Sequence, residues 1–151
     1  MKEITIYTDG AWSGNPGPGG WGCVLIYKGR EKEFSGFVNN TTNNQMEMLA
    51  VIKALEHLKE PCKIDLYSDS AYVVNAFLND WISGWIEKGW INSSKKPVKN
   101  SEMWQYMLTL TSKHVITWHK VKGHSTDVYN NRCDALARGE VDQYLKNLKD
   151  E

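Results

Sequence analysis

The chain has 151 residues, with 18 basic and 18 acidic side chains and 41% hydrophobic residues. That length fits one domain with a substantial core, the composition excludes a disordered chain, and the balanced charge means that a nucleic-acid partner would be held by a local patch or by metal ions. The start reads at once as a strand without an apolar h-region, and no apolar run reaches membrane-spanning length, so a cytoplasmic protein without membrane contact is expected.

Residues 3–9 set Ile4 and Ile6 against Tyr7 and predict a strand. Gly14–Gly20 is Gly/Pro-rich and predicts a turn. Trp21–Tyr27 and Lys32–Val38, joined by Lys28-Gly29-Arg30, predict an antiparallel meander. The period then changes: Met48, Val51, Ile52, Leu55 and Leu58 predict an amphipathic helix over about 44–59, ended by Pro61. A strand over 63–68, a short helix over 71–78, a helix over 101–112, a strand over 115–121 and a final helix over 129–148 follow. Residues 81–100 break the pattern with Trp81, Trp85 and Trp90 among glycines and lysines. Strands first and strand–helix alternation later predict α+β merging into α/β on one mixed sheet. Cys23, Cys62 and Cys133 are odd in number and widely spaced, which argues against a disulfide framework or a zinc site.

The acidic residues carry the strongest chemical signal. Asp9 and Asp69 each close a predicted strand, and if those strands are parallel neighbours both carboxylates project into one crevice. Taken singly, Asp9 also fits a turn and Asp69 a helix cap with Ser70. Glu47 completes an Asn44-x-x-Glu47 capping-box pattern. It also heads the sheet-facing stripe of Val51, Ala54 and Leu58, where an uncompensated carboxylate is expensive. Asp134 fits an i,i+4 ion pair with Arg138. His124 lies in a loop after a strand, where a histidine is either a solvated bystander or an acid–base group, whereas His57, His114 and His119 share no metal spacing with it and read as structural. Trp81, Trp85 and Trp90 with Lys88, Lys95, Lys96 and Lys99 suit either a separate mini-core or a nucleic-acid backbone. Gly17–Gly22 matches G-x-G-x-x-G but opens a strand instead of a helix, which excludes a dinucleotide site.

The runs TDGAWSGNPGPGGWG (8–22), TTNNQMEMLA (41–50), YSDSAYV (67–73), KKPVKN (95–100), VKGH (121–124) and NRCDALA (131–137) together resemble bacterial type 1 ribonuclease H, from residue 3 to about residue 140. The resemblance implies a five-stranded mixed sheet of order 3-2-1-4-5, with the second strand antiparallel to the rest and helices on both faces. It implies one catalytic domain over 1–151, with a protruding handle at 81–100 and a polar tail at 142–151. Asp9, Glu47, Asp69 and Asp134 are implied as metal-binding catalytic carboxylates, and His124 as a proton shuttle or an aid to product release. Asn15, Asn43 and Asn44 are implied to read ribose 2′-hydroxyls, Thr42 and Asn100 to hold a DNA phosphate, and Trp81, Trp85 and Trp90 to lie in the handle against the DNA strand.

The implied activity is endonucleolytic hydrolysis of the RNA strand of RNA/DNA hybrids by a monomer. Two Mg²⁺ ions, with Mn²⁺ as a substitute, are the implied cofactors, and 3′-hydroxyl and 5′-phosphate ends the products. Two such ions about 3.5–4 Å apart activate water and stabilise the leaving oxygen. Hard oxygen ligands suit Mg²⁺, and cations relieve the mutual repulsion of four acids. Asparagines that read the 2′-hydroxyl argue against a DNA-cutting relative of the same fold. The complete carboxylate set argues against a non-catalytic hybrid-binding module. Ile86 and Glu87 stand where relatives often carry basic residues, which implies a weaker grip on the DNA strand.

Overall fold

The computed structural model describes residues 1–14, 16–122 and 127–150, so Asn15 and His124 lie outside the described residues. Period-two alternation builds β1 (Lys2–Trp12), with Ile4 and Ile6 in the core and Tyr7 turned to the opposite face. β2 (Gly17–Tyr27) and β3 (Arg30–Thr41) complete the expected meander. Lys28 and Gly29 both take positive φ, 50° and 77°, as a tight hairpin turn with the right twist demands. After them come α1 (Asn43–Glu56), β4 (Cys62–Ser68), α2 (Ala71–Leu78), α3 (Trp81–Glu87), α4 (Ser101–Thr111), β5 (Val115–Lys120) and α5 (Val128–Lys149).

The strands form one sheet of order β3-β2-β1-β4-β5. β2 is antiparallel to both neighbours, while β1, β4 and β5 run parallel. The expected mixed-sheet class, strand order and direction are all present. The main core lies on one face, where Ile6 and Leu66 of the sheet meet Val51 and Leu55 of α1, Val73 of α2 and Trp104 of α4. α5 covers the other face through Ala137 and Val141, which pack on Ala11. Cys23, Cys62 and Cys133 are buried and free, as their spacing predicts. Among the described residues no helix is long and apolar enough to cross a membrane.

Several local expectations need correction. Gly17–Gly20, read as a turn, is the opening of β2. The bare strand is needed because α5 lies directly on it: a Cβ at Gly20 would stand 2.2 Å from the Ala137 carbonyl oxygen, and one at Gly22 2.7 Å from that of Cys133. α1 starts behind Thr42, whose hydroxyl accepts from the Gln45 N–H at 3.3 Å, so Asn44 is already inside the helix and the Asn44–Glu47 box does not form. The helix also ends well before Pro61. The His57 and Leu58 N–H groups turn back to Ala54 and Leu55 in a tight closing turn, and the His57 ring stacks on Phe34 at 3.6 Å.

The tryptophan segment is not a separate mini-core. Trp85 lies 5.3 Å from Trp104 and 5.9 Å from Trp90, ring centre to ring centre, so the cluster is continuous with the main core. Trp81, next along, is exposed.

Candidate active site

Parallel pairing of β1 with β4 stops at Thr8 and Ser68, which sets Asp9 and Asp69 side by side where the strands part. Asp9 does not end its strand, as the sequence suggests; β1 runs on to Trp12 alongside β2 alone. The first turns of α1 bring in Glu47. Gly10 makes this approach possible, since a Cβ there would lie 2.7 Å from the Glu47 nitrogen and the Met46 carbonyl carbon. The Gly10 N–H donates to Glu47 Oε1 at 2.5 Å and to Asp9 Oδ1 at 2.9 Å. Oxygens of Asp9, Glu47 and Asp69 thereby all fall within 4.8 Å of one another. The cap of α2 is Ser70, whose hydroxyl accepts from the Val73 N–H at 3.2 Å, so the helix does not use Asp69 for that purpose.

Asp134, on α5, lines the same cleft of about 850 Å³. Arg138 Nε donates to both of its carboxylate oxygens, at 2.9 and 3.0 Å, so the i,i+4 pair is formed at the rim of the acidic site. An exposed pair of this kind contributes only tenths of a kcal/mol.

The acids repel one another in a poorly solvated place. Burial first, then the negative charge of Asp69, pushes the Asp9 carboxyl up to about 8. Burial, followed by the charges of Asp9 and Asp69, holds Glu47 well above the ordinary carboxyl range. At neutral pH the cluster therefore retains protons, and its donors are all hard oxygens, the set a divalent cation takes up while displacing those protons.

Stability carries the same signature. A carboxyl whose folded pKa lies above its unfolded one holds an extra proton in the folded state between the two values. The metal-free protein is therefore expected to lose stability as pH rises from about 4 to about 8. Divalent cation should flatten that slope, and Asp9→Asn should flatten it without metal. Thermal melts across pH in EDTA and in Mg²⁺ check this; a metal-free midpoint that rises over the window would contradict it.

Around the acids, Asn43 and Asn44 at the start of α1 line the cleft, as does Tyr72. Thr42 and Asn100 meet through Gln45, whose Nε2 donates to Asn100 Oδ1 at 3.2 Å. Asn100 Nδ2 in turn donates to the Tyr72 hydroxyl at 3.1 Å, tying this second group to the cleft. Trp85 is half-buried against Trp104 and Trp90 half-buried against Trp85, which leaves Trp81 as the exposed ring of the three. The other histidines have structural partners, as expected: His119 with Asp65 at 2.8 Å, and His114 accepting from the Cys62 N–H at 3.0 Å. Sequence reasoning missed Gly10 and the use of Arg138 and Tyr72 as cleft walls. A glycine inside a strand, directly after Asp9, is itself a signal of close backbone approach.

A mixed 3-2-1-4-5 sheet carries three carboxylates where β1 and β4 part, Asp9 and Glu47 buried and Asp69 half-buried, a hard-oxygen set suited to a divalent cation. The RNase H family model matches residues 1–142. The ribonuclease H of Acetivibrio thermocellus is 58% identical over 146 residues, covering 97% of this chain and 99% of that one. The ribonuclease H of Chlorobaculum parvum is 61% identical over 137 residues, covering 91% and 94%. Among solved structures, LC9-RNase H1, a type 1 RNase H with the type 2 active-site motif, matches at a TM-score of 0.82 and 26% identity, covering 92% of this chain and 72% of that one. LC11-RNase H1, solved in complex with RNA/DNA hybrid, matches at a TM-score of 0.71 and 26% identity, covering 94% and 99%. The chain belongs to the RNase H family. It is a nuclease of a divalent-metal-dependent family, and its acidic trio fits such an ion.

Proposed function

We propose that this chain hydrolyses the RNA strand of RNA/DNA hybrids in the Asp9–Glu47–Asp69 cleft, with two Mg²⁺ ions and with Mn²⁺ able to replace them. The observation that carries the reading is the trio of carboxylates, two buried and one half-buried, with oxygens within 4.8 Å, in a cleft rimmed by Asn43 and Asn44. The relative solved with a bound hybrid supports the choice of substrate. Asp9, Glu47, Asp69 and Asp134 hold the ions, which when bound supply Lewis-acid stabilisation and a water of lowered pKa.

The remaining steps belong to the chain. Gly10 N–H fixes the Glu47 carboxylate, and Arg138 orients Asp134. Side-chain amides both donate and accept, so Asn43 and Asn44, joined by Asn15, suit the ribose 2′-hydroxyl that separates RNA from DNA. Thr42 and Asn100 receive a phosphate of the DNA strand. Trp81, Trp85 and Trp90 with Lys88, Lys95, Lys96 and Lys99 form the handle at 81–100. His124 shuttles a proton or helps the product leave, and cleavage leaves 3′-hydroxyl and 5′-phosphate ends. The whole of 1–151, tail 142–151 included, acts as one monomeric catalytic domain in the cytoplasm.

The test offers labelled RNA/DNA hybrid, RNA/RNA, single-stranded RNA and DNA/DNA, each with Mg²⁺ and with EDTA. Cleavage of the hybrid alone, and only with metal, is expected. Equal cutting of RNA/RNA, or cutting in EDTA, overturns the reading.

A further inference from the structure

The cleft continues past the carboxylates. Where β1 has left β4 behind, Trp12 lines the same cleft as Asp9, Glu47 and Asp69, and the residue is 46% exposed. Its partner on β2 is Gly19, which places no side chain beside the ring. Alternation along β1 turns Ala11 onto Ala137 and Val141 of α5, and Trp12 to the face that Gly10 presents to α1. Asn43 and Asn44 line the cleft from that side. Trp12 belongs to neither hydrophobic cluster, so the fold gains little from it. A large ring half out of water at the wall of a polar cleft is instead suited to meet a ligand there.

We propose that Trp12 is a substrate-binding residue whose indole face packs against the ribose of a nucleotide beside the scissile phosphate, in the strand being cut. Trp12 lies three residue steps beyond Asp9, about 10 Å at the usual rise. The ring therefore meets a neighbouring nucleotide and not the reacting phosphate. Ribose is open to such contact because an A-like duplex shows a wide, shallow minor groove. An aromatic face takes nucleotides without regard to sequence, so the contact adds grip and not base preference. The inference rests on the hybrid reading above.

Trp12→Ala, Trp12→Gln and Trp12→Phe are compared with the parent in three measurements: Kd for a labelled hybrid in EDTA, steady-state cleavage with Mg²⁺, and thermal midpoint. In Trp12→Ala, Kd and KM are expected to rise roughly 5- to 20-fold, with kcat changing by less than about twofold. Trp12→Gln, which keeps a long polar side chain without an aromatic face, should match it, and Trp12→Phe should restore most of the loss. A lowered melting point with Kd and KM unchanged would show that the ring only shields the fold and would overturn the proposal, as would a fall in kcat at constant KM. A parent that neither binds nor cuts the hybrid would instead defeat the hybrid reading, so the two failures are distinct.

Discussion

Asp69→Asn is expected to lower kcat on RNA/DNA hybrid by roughly 10³-fold or more, while Kd for the hybrid stays within a few-fold of the parent value. Asp69 follows the last residue of β4 and shares with Asp9 and Glu47 the only oxygen-ligand cluster found among the described residues. Asparagine keeps the shape of the side chain and removes the charge. Metal-centred stabilisation of a phosphoryl transition state is worth several kcal/mol, and each 1.36 kcal/mol is about tenfold in rate. In the proposed function, hybrid grip is spread over other residues, among them Asn43, Asn44, Thr42, Asn100 and the handle, which the substitution leaves alone. Single-turnover cleavage and anisotropy binding, run side by side, separate the two quantities. A variant within tenfold of the parent rate would remove Asp69 from the catalytic set.

Glu47→Gln should cost activity on the same scale and yet leave the metal-free fold as stable as before, or more so. The Glu47 carboxyl is buried and pushed well above its ordinary range by that burial and by its acidic neighbours. A protonated carboxyl and an amide are both neutral, so the exchange removes little that holds the apoprotein together. An amide oxygen can also keep the hydrogen bond from Gly10 N–H. Cation binding is another matter, because a neutral amide does not balance the charge of a dication. The increase in thermal midpoint on adding Mg²⁺, which follows from linkage, should therefore shrink in the variant. Melts in EDTA and in Mg²⁺ alongside hybrid cleavage test this. An active variant with a full metal-induced shift would restore Glu47 to a merely structural role.

These two residues show how differently the site could be read from the chain. Asp69 was visible as an acid at a strand end, and parallel pairing of β1 with β4 then placed it beside Asp9. Glu47 was ambiguous, because a capping box and an inward-facing acid share one local pattern. The contact that resolves it is to Gly10, which is 37 residues away along the chain. Asp134 was ambiguous in another way: its ion pair with Arg138 and its place in the cleft are both present. No local reading could have chosen between features that coexist.

By itself the sequence determined the kinds and order of the elements other than α3, because the periods of two and of about 3.6 residues are local properties of a chain. It also determined the Lys28–Gly29 reversal and, through its motifs, pointed to the four acids that line the cleft. Tertiary structure alone decided that Gly17–Gly20 is a strand, since only the α5 backbone lying 2.2 Å from a would-be Cβ at Gly20 demands bare glycine there. It likewise decided that Trp85 joins the main core through Trp104, and that Asp9 is pushed up to about 8. Burial, close approach and charge repulsion depend on groups far apart along the chain, and these come together only when the sheet and its two helical layers have closed on one another.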